Sequence, residues 1–151
     1  MAKDIHQTVT FDATPADIYK ALIDPKLHAA FTGSPAKNDG KVGSSFSAHG
    51  DYISGVNVDL VKGVRIVQAW RGANWPTGAW SVVRFELAPA GTGQTKLSFS
   101  QHGVPDDHHK PISEGWKSRY WVPLAKWLDG RAPARAPARA PAKKKKKATR
   151  K

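Results

Sequence analysis

Toward the C-terminus Trp116, Tyr120, Leu124 and Trp127 recur at three- and four-residue spacing, with Trp121 and Leu128 beside them. That period puts large side chains on one helical face, and the added pair widens the stripe. A helix with so much aromatic surface must be covered, so the remainder of the chain has to supply a broad apolar face. Pro123 falls within the stripe, removes one backbone donor, and is expected to kink the helix or mark a local break. Helical capacity ends at Asp129-Gly130.

The covering face is legible upstream. From Val42 to His102 short alternating runs are separated by Gly, Asp and Pro, the pattern of an antiparallel meander. Strands are expected near 44–49, 52–61, 64–71, 79–88 and 94–102, with breaks at Gly50-Asp51, Lys62-Gly63, 74–78 and 89–93. Before them, Ile5, Gln7, Val9 and Phe11 alternate with His6, Thr8, Thr10 and Asp12 as in a half-buried strand. Thr14 then suits an N-cap, Pro15 the first helical position, and Asp17 the third. Asp24-Pro25 starts a second short helix that Thr32-Gly33 closes.

One strand, two short helices, five more strands and a long helix form an α+β order, in which a curved antiparallel sheet of about six strands wraps around the last helix. Taking the side with the larger apolar groups as inward selects Val9, Phe11, Phe46, Val56, Val58, Ile66, Trp70, Val83, Phe85, Leu97 and Phe99. Gln7, Gln68, Ser81 and Gln101 fall on the same faces. A buried amide without a partner costs about 1–3 kcal/mol, so these groups either orient the polar end of a ligand or find water or side-chain partners near the strand ends.

Ala30-Phe31-Thr32-Gly33, Trp70-Arg71-Gly72-Ala73-Asn74-Trp75-Pro76, Gly103-Val104-Pro105, and Glu114-Gly115-Trp116 followed by Tyr120-Trp121 resemble the C-terminal domain of the activators of the heat-shock protein 90 ATPase. The resemblance runs over roughly residues 5–129. It implies the helix-grip fold of the SRPBCC, or START-like, superfamily, whose shared capability is to enclose a hydrophobic small molecule between sheet and helix. On that basis the cavity candidates are Phe46, Val58, Gln68, Trp70, Ser81, Val83, Phe85, Leu97, Phe99, Gln101, Trp116 and Tyr120. The resemblance also implies an accessory role toward a heat-shock protein 90-type chaperone. Arg71, Trp75 and Pro76 are the candidates for that contact, because aromatic side chains in loops are enriched at interface centres.

The inward strand faces carry no Asp, Glu, His, Lys or Arg, whereas Asp59 and Glu86 fall on the solvent side. General acid–base or nucleophilic catalysis needs a titratable group facing the site, so the expectation is a noncatalytic domain without a cofactor. The six histidines lack the i, i+4 spacing of a zinc helix, and the rings of adjacent His108 and His109 point apart, so they are read as solvated loop residues and not as metal ligands. Gly91-Thr92-Gly93 precedes a strand and lacks a phosphate-loop lysine, which makes it a hairpin turn.

Net charge is +12, but its distribution is uneven. Residues 1–130 hold fourteen basic and twelve acidic side chains and are read as the folded domain. Residues 131–151 hold ten basic side chains and no acid: Arg131, Arg135, Arg139, Lys143, Lys144, Lys145, Lys146, Lys147, Arg150 and Lys151. With a proline at every fourth position and no large apolar group, this segment is expected to be a disordered polycation able to meet nucleic-acid phosphates nonspecifically. It has no aromatic residue for base stacking. Cysteine is absent, as are a signal-like apolar run and any membrane-spanning stretch, so the expectation is a soluble cytoplasmic protein.

Overall fold

The structure is a computed structural model that describes residues 2–130. The basic segment 131–151, with every polyanion-binding candidate in it, lies outside the described residues.

The first strand, β1 (Ala2–Phe11), is followed by the two expected helices, α1 (Pro15–Ile23) and α2 (Pro25–Thr32). Both starts are held by the caps read from the sequence. The Thr14 hydroxyl accepts from the Asp17 amide at 3.2 Å, and the Asp24 carboxylate accepts from the Lys26 amide at 2.9 Å. Such caps contribute about 1 kcal/mol each. Gly33 ends α2 in the left-handed conformation at φ 78°.

The meander contains one strand more than expected. A two-residue strand, β2 (Lys37–Asn38), precedes β3 (Ser45–Ala48), β4 (Ile53–Val61), β5 (Arg65–Gly72), β6 (Ser81–Gly91) and β7 (Gln94–Pro105). All pairings are antiparallel, and the seven strands are ordered β1-β7-β6-β5-β4-β3-β2. The sheet is therefore a sequential meander whose last strand lies beside the first.

One strand presents the opposite face from that expected. Val56 and the cavity candidate Val58 are 36% and 51% exposed, while Ile53, Gly55 and Asn57 are buried. Close approach decides this register. A Cβ at position 55 would collide with the Ala69 carbonyl oxygen and the Phe46 ring, so glycine lets the strands close. Asn57 is buried but fully engaged: its amide donates to Asn38 Oδ1 at 2.8 Å, and its carbonyl oxygen accepts from Gln68 at 3.0 Å. Choosing the inward face by apolar size fails here because β-branched residues also suit the solvent face of a strand. A bulge between Asn57 and Asp59 then absorbs Val58 and returns Leu60 to the position opposite Ile66.

After a 3₁₀ turn at Asp106–His108, the C-terminal helical run comprises α3 (His109–Trp116), a π-helical turn at Lys117–Trp121, and α4 (Val122–Gly130). The break expected from Pro123 takes this form. Proline cannot donate to the preceding turn, and the widened turn lies directly before it. Trp116, Tyr120, Trp121, Leu124 and Leu128 are buried on the concave sheet face, whereas Trp127 is only partly buried.

Candidate functional site

Trp116 organises the space between helix and sheet. Its ring lies 4.3 Å from Phe99, 4.5 Å from Tyr120 and 5.6 Å from Trp70, and stacks on Trp121 at 5.7 Å. Such contacts contribute beyond the area they bury and fix ring orientation. The polar groups of the inward faces set the depth of the helix. The Trp116 indole N–H donates to Gln101 Oε1 at 2.8 Å, the Gln101 amide donates to Ser81 Oγ at 2.9 Å, and the Ser81 hydroxyl donates to the Trp70 carbonyl at 2.8 Å. Trp121 is anchored likewise on Gln7 Oε1 at 2.6 Å, and the Gln7 amide donates to the Ser113 carbonyl at 2.9 Å. Of the two readings open for Gln7, Gln68, Ser81 and Gln101, the one with side-chain partners describes the structure.

Phe46, Gln68, Trp70, Phe85, Trp116 and Tyr120 border a small, partly enclosed cavity of about 30 Å³, together with residues of α1 and α2. A cavity of that size has room for about one water molecule. His28 reaches it from α2 and corrects the expectation that the histidines are solvated, since it is only 7% exposed. Its Nε2 lies 2.9 Å from the Tyr120 hydroxyl, its Nδ1 has no hydrogen-bond partner, and the His49 ring stands 6.1 Å away. Burial first, and then His49, push the His28 pKa down to about 4. Burial likewise raises that of Tyr120.

A second space opens on the other side of Tyr120. This groove of about 560 Å³ runs between α3, the π turn and the ends of β4 and β5. Trp70, Trp116, Tyr120 and Ile53 contribute its apolar surface, and His49, Arg119, Tyr52, Asn74, His108 and Glu114 its polar one. The His49 pKa is lowered by burial and then by the Arg119 guanidinium. Trp70, Trp116 and Tyr120 therefore serve both spaces. Ser81, Val83, Leu97, Phe99 and Gln101 are buried but line neither, and Val58 lies on the outer face.

The loop after β5 brings a further correction. Trp75, expected as an exposed contact, is only 4% exposed, with its ring 5.6 Å from Trp70 and 6.0 Å from His108. Arg71 stiffens the loop: its guanidinium donates to the carbonyls of Trp75, Pro76 and Ala79 at 2.9, 3.2 and 3.1 Å, and lies 5.6 Å from the Trp80 ring. The aromatic this loop exposes is Trp80, at 47%, alongside exposed Pro76.

Sequence reasoning missed His28, His49, Gly115 and Arg119, because none belongs to an apolar period. A weak signal existed for His49, which precedes the Gly50-Asp51 break and takes φ 52°, the one positive value among described non-glycine residues. Among the described residues no three His, Asp or Glu side chains are grouped to hold a metal ion.

The chain is similar to known proteins over nearly this whole domain. It is 36% identical over 107 residues to an activator of 90 kDa heat shock protein ATPase homolog from Dictyostelium discoideum, covering 71% of this chain and 28% of that one. It is 31% identical over 125 residues to homolog 2 from Mus musculus, covering 83% and 38% respectively. The chain thus spans about a third of the length of these curated relatives. In three dimensions it is similar to an HSP90 activator from Plasmodium falciparum, with a TM-score of 0.78 at 22% identity over 83% of this chain and 95% of that one, which supports the helix-grip fold. The family model described as activator of Hsp90 ATPase homolog 1-like protein matches residues 12–129, and the chain belongs to that family.

Proposed function

We propose that this domain is a noncatalytic accessory protein of a heat-shock protein 90-type chaperone. The observation that carries the reading is the family match across residues 12–129. The loop that follows β5 is its docking surface, with Trp80 and Pro76 exposed on a turn that Arg71 holds rigid. Pre-ordering of a loop lowers the entropic cost of binding. The noncatalytic reading is supported by the small space beside the buried His28, about 30 Å³, which has room for about one water molecule. A cytoplasmic location suits this role, and no described helix is long and apolar enough to cross a membrane.

Steady-state ATPase and binding assays with a heat-shock protein 90 homologue test the reading. The domain binds the chaperone and changes its turnover, and Trp80→Ala weakens binding at least tenfold without lowering the melting temperature. Absence of both binding and stimulation at high concentration overturns it.

The groove favours a second reading, in which the domain takes up a largely apolar small molecule. Its volume of about 560 Å³ falls within the usual range of ligand sites, roughly 300–1,000 Å³, whereas the smaller cavity does not. Native mass spectrometry of gently purified protein checks this through a retained mass.

The basic segment supports an additional association. Ten cationic side chains in residues 131–151 suit nonspecific contact with phosphates. If about six of them bind, log K falls with log salt at a slope near −5. Deleting 131–151 then abolishes duplex binding in fluorescence anisotropy and leaves the melting temperature of the domain nearly unchanged. Undiminished binding by the truncated protein places the site on the domain.

A further inference from the structure

We propose that the groove beside α3 is a site for a small amphiphilic carboxylate about 10 Å long, its anionic end held by Arg119 and its apolar body lying on Trp70 and Trp116. The inference rests on the small-molecule reading of the groove and adds to it the chemical class of the ligand.

The polarity of the groove follows from the order of residues along the helix. On the helical side the lining runs from His108 and Pro111 through Ile112 to Arg119, and the seven residues from Ile112 to Arg119 span about 10 Å. The middle of that wall is Gly115. Glycine inside a helix costs about 1 kcal/mol relative to alanine, yet a Cβ here meets nothing within 4 Å. Packing against the protein therefore does not require glycine at this position. What the missing side chain provides is a bare stretch of helix facing the groove, wide enough for a flat or chain-like body.

The Arg119 end has an unbalanced charge. Arg119 is exposed and acts on His49 closely enough to lower its pKa, and among the described residues no carboxylate pairs with either group. Glu114, the carboxylate on the groove wall, lies five residues earlier, about 7 Å back along the helix axis, and His108 lines the groove before α3 begins. A carboxylate bound at the Arg119 end would accept hydrogen bonds from the guanidinium fork, beside a His49 ring whose lowered pKa keeps it neutral at pH 7. The turn between β3 and β4, where His49 and Gly50 both take positive φ, holds the His49 ring 5.6 Å from Tyr120.

The test uses the full chain with three probes, 2-naphthoate, decanoate and the neutral 2-naphthylmethanol, titrated by calorimetry and by tryptophan fluorescence at physiological salt. At least one of the two carboxylates binds, and 2-naphthoate binds at least tenfold more tightly than the alcohol or, if decanoate is the better ligand, decanoate does. Arg119→Gln removes that tenfold advantage. Gly115→Leu fills the groove and abolishes binding of every probe while the melting temperature stays level or rises. The basic segment attracts the carboxylates alone, but it is common to all variants and cancels when the Arg119→Gln and unsubstituted chains are compared with the same probe. Equal binding of acid and alcohol, blocked by Gly115→Leu, overturns the carboxylate assignment and leaves a groove for neutral molecules. No binding by any probe, or binding indifferent to Gly115→Leu, overturns both the assignment and the small-molecule reading.

Discussion

On one side of Tyr120 the sheet and α2 partly enclose a cavity of about 30 Å³; on the other a groove of about 560 Å³ lies more open. Both spaces are lined by Trp70, Trp116 and Tyr120, so their difference does not come from the rings. It comes from what surrounds them. In the tighter region Phe46, Phe85 and His28 fill the approach, and amide-to-indole hydrogen bonds set the helix depth. On the open side the helix presents Gly115, and the partners across from it are polar ends of strands and turns. One aromatic cluster can thus be a core on one side and a binding wall on the other, with stability and recognition residing in separate residues.

Mutations can break this separation, and the largest effect belongs to the tighter side. Trp116→Ala lowers stability by about 3–5 kcal/mol, and Trp75→Ala falls within the same range, whereas exposed Trp80→Ala stays within about 0.5 kcal/mol. Urea melts of the three proteins measure this; a cost for Trp80 equal to that for Trp116 would erase the distinction between buried and exposed rings.

Protonation of His28 comes next. Its folded-state pKa of about 4 lies below the ordinary value of 6.5, so the unfolded chain binds the proton more tightly. The stabilisation is complete above pH 6.5, falls as pH drops through that value, and is lost by pH 4, a change of about 3 kcal/mol. Denaturant melts between pH 7.5 and 4, compared with those of His28→Gln, isolate this contribution. A parallel pH profile in the variant would place the titrating group elsewhere.

Gln101→Leu leaves the Trp116 indole N–H buried without its acceptor and costs about 1–3 kcal/mol, with a red-shift of tryptophan fluorescence if the helix lifts from the sheet. The smallest change has the opposite sign. Gly115→Ala on the groove wall stabilises by up to about 1 kcal/mol, because the helix gains propensity and the added methyl meets nothing. A loss of stability there would mean that the groove is part of the core.

Much of the frame was legible locally. The stripe from Trp116 to Leu128, the caps at Thr14 and Asp24, and five of the six meander strands announce themselves through periods and turn residues. The two-residue β2 is too short to carry a period. The site was only partly legible: Trp70, Trp116 and Tyr120 follow from alternation and helical spacing, while His49, Gly115 and Arg119 carry no period at all.

The sequence by itself determined the order of elements, the helix starts, and the need for a wide apolar sheet to cover the last helix, because these depend on neighbours a few residues apart. Only the tertiary structure decided which face of β4 turns inward, that Trp75 packs against Trp70 and His108, and that His28 meets Tyr120 across 92 positions of chain. Those outcomes depend on distances between segments remote in sequence. At position 55 a missing side chain lets two strands close, and at position 115 another leaves a groove open; only the surroundings of each glycine distinguish them.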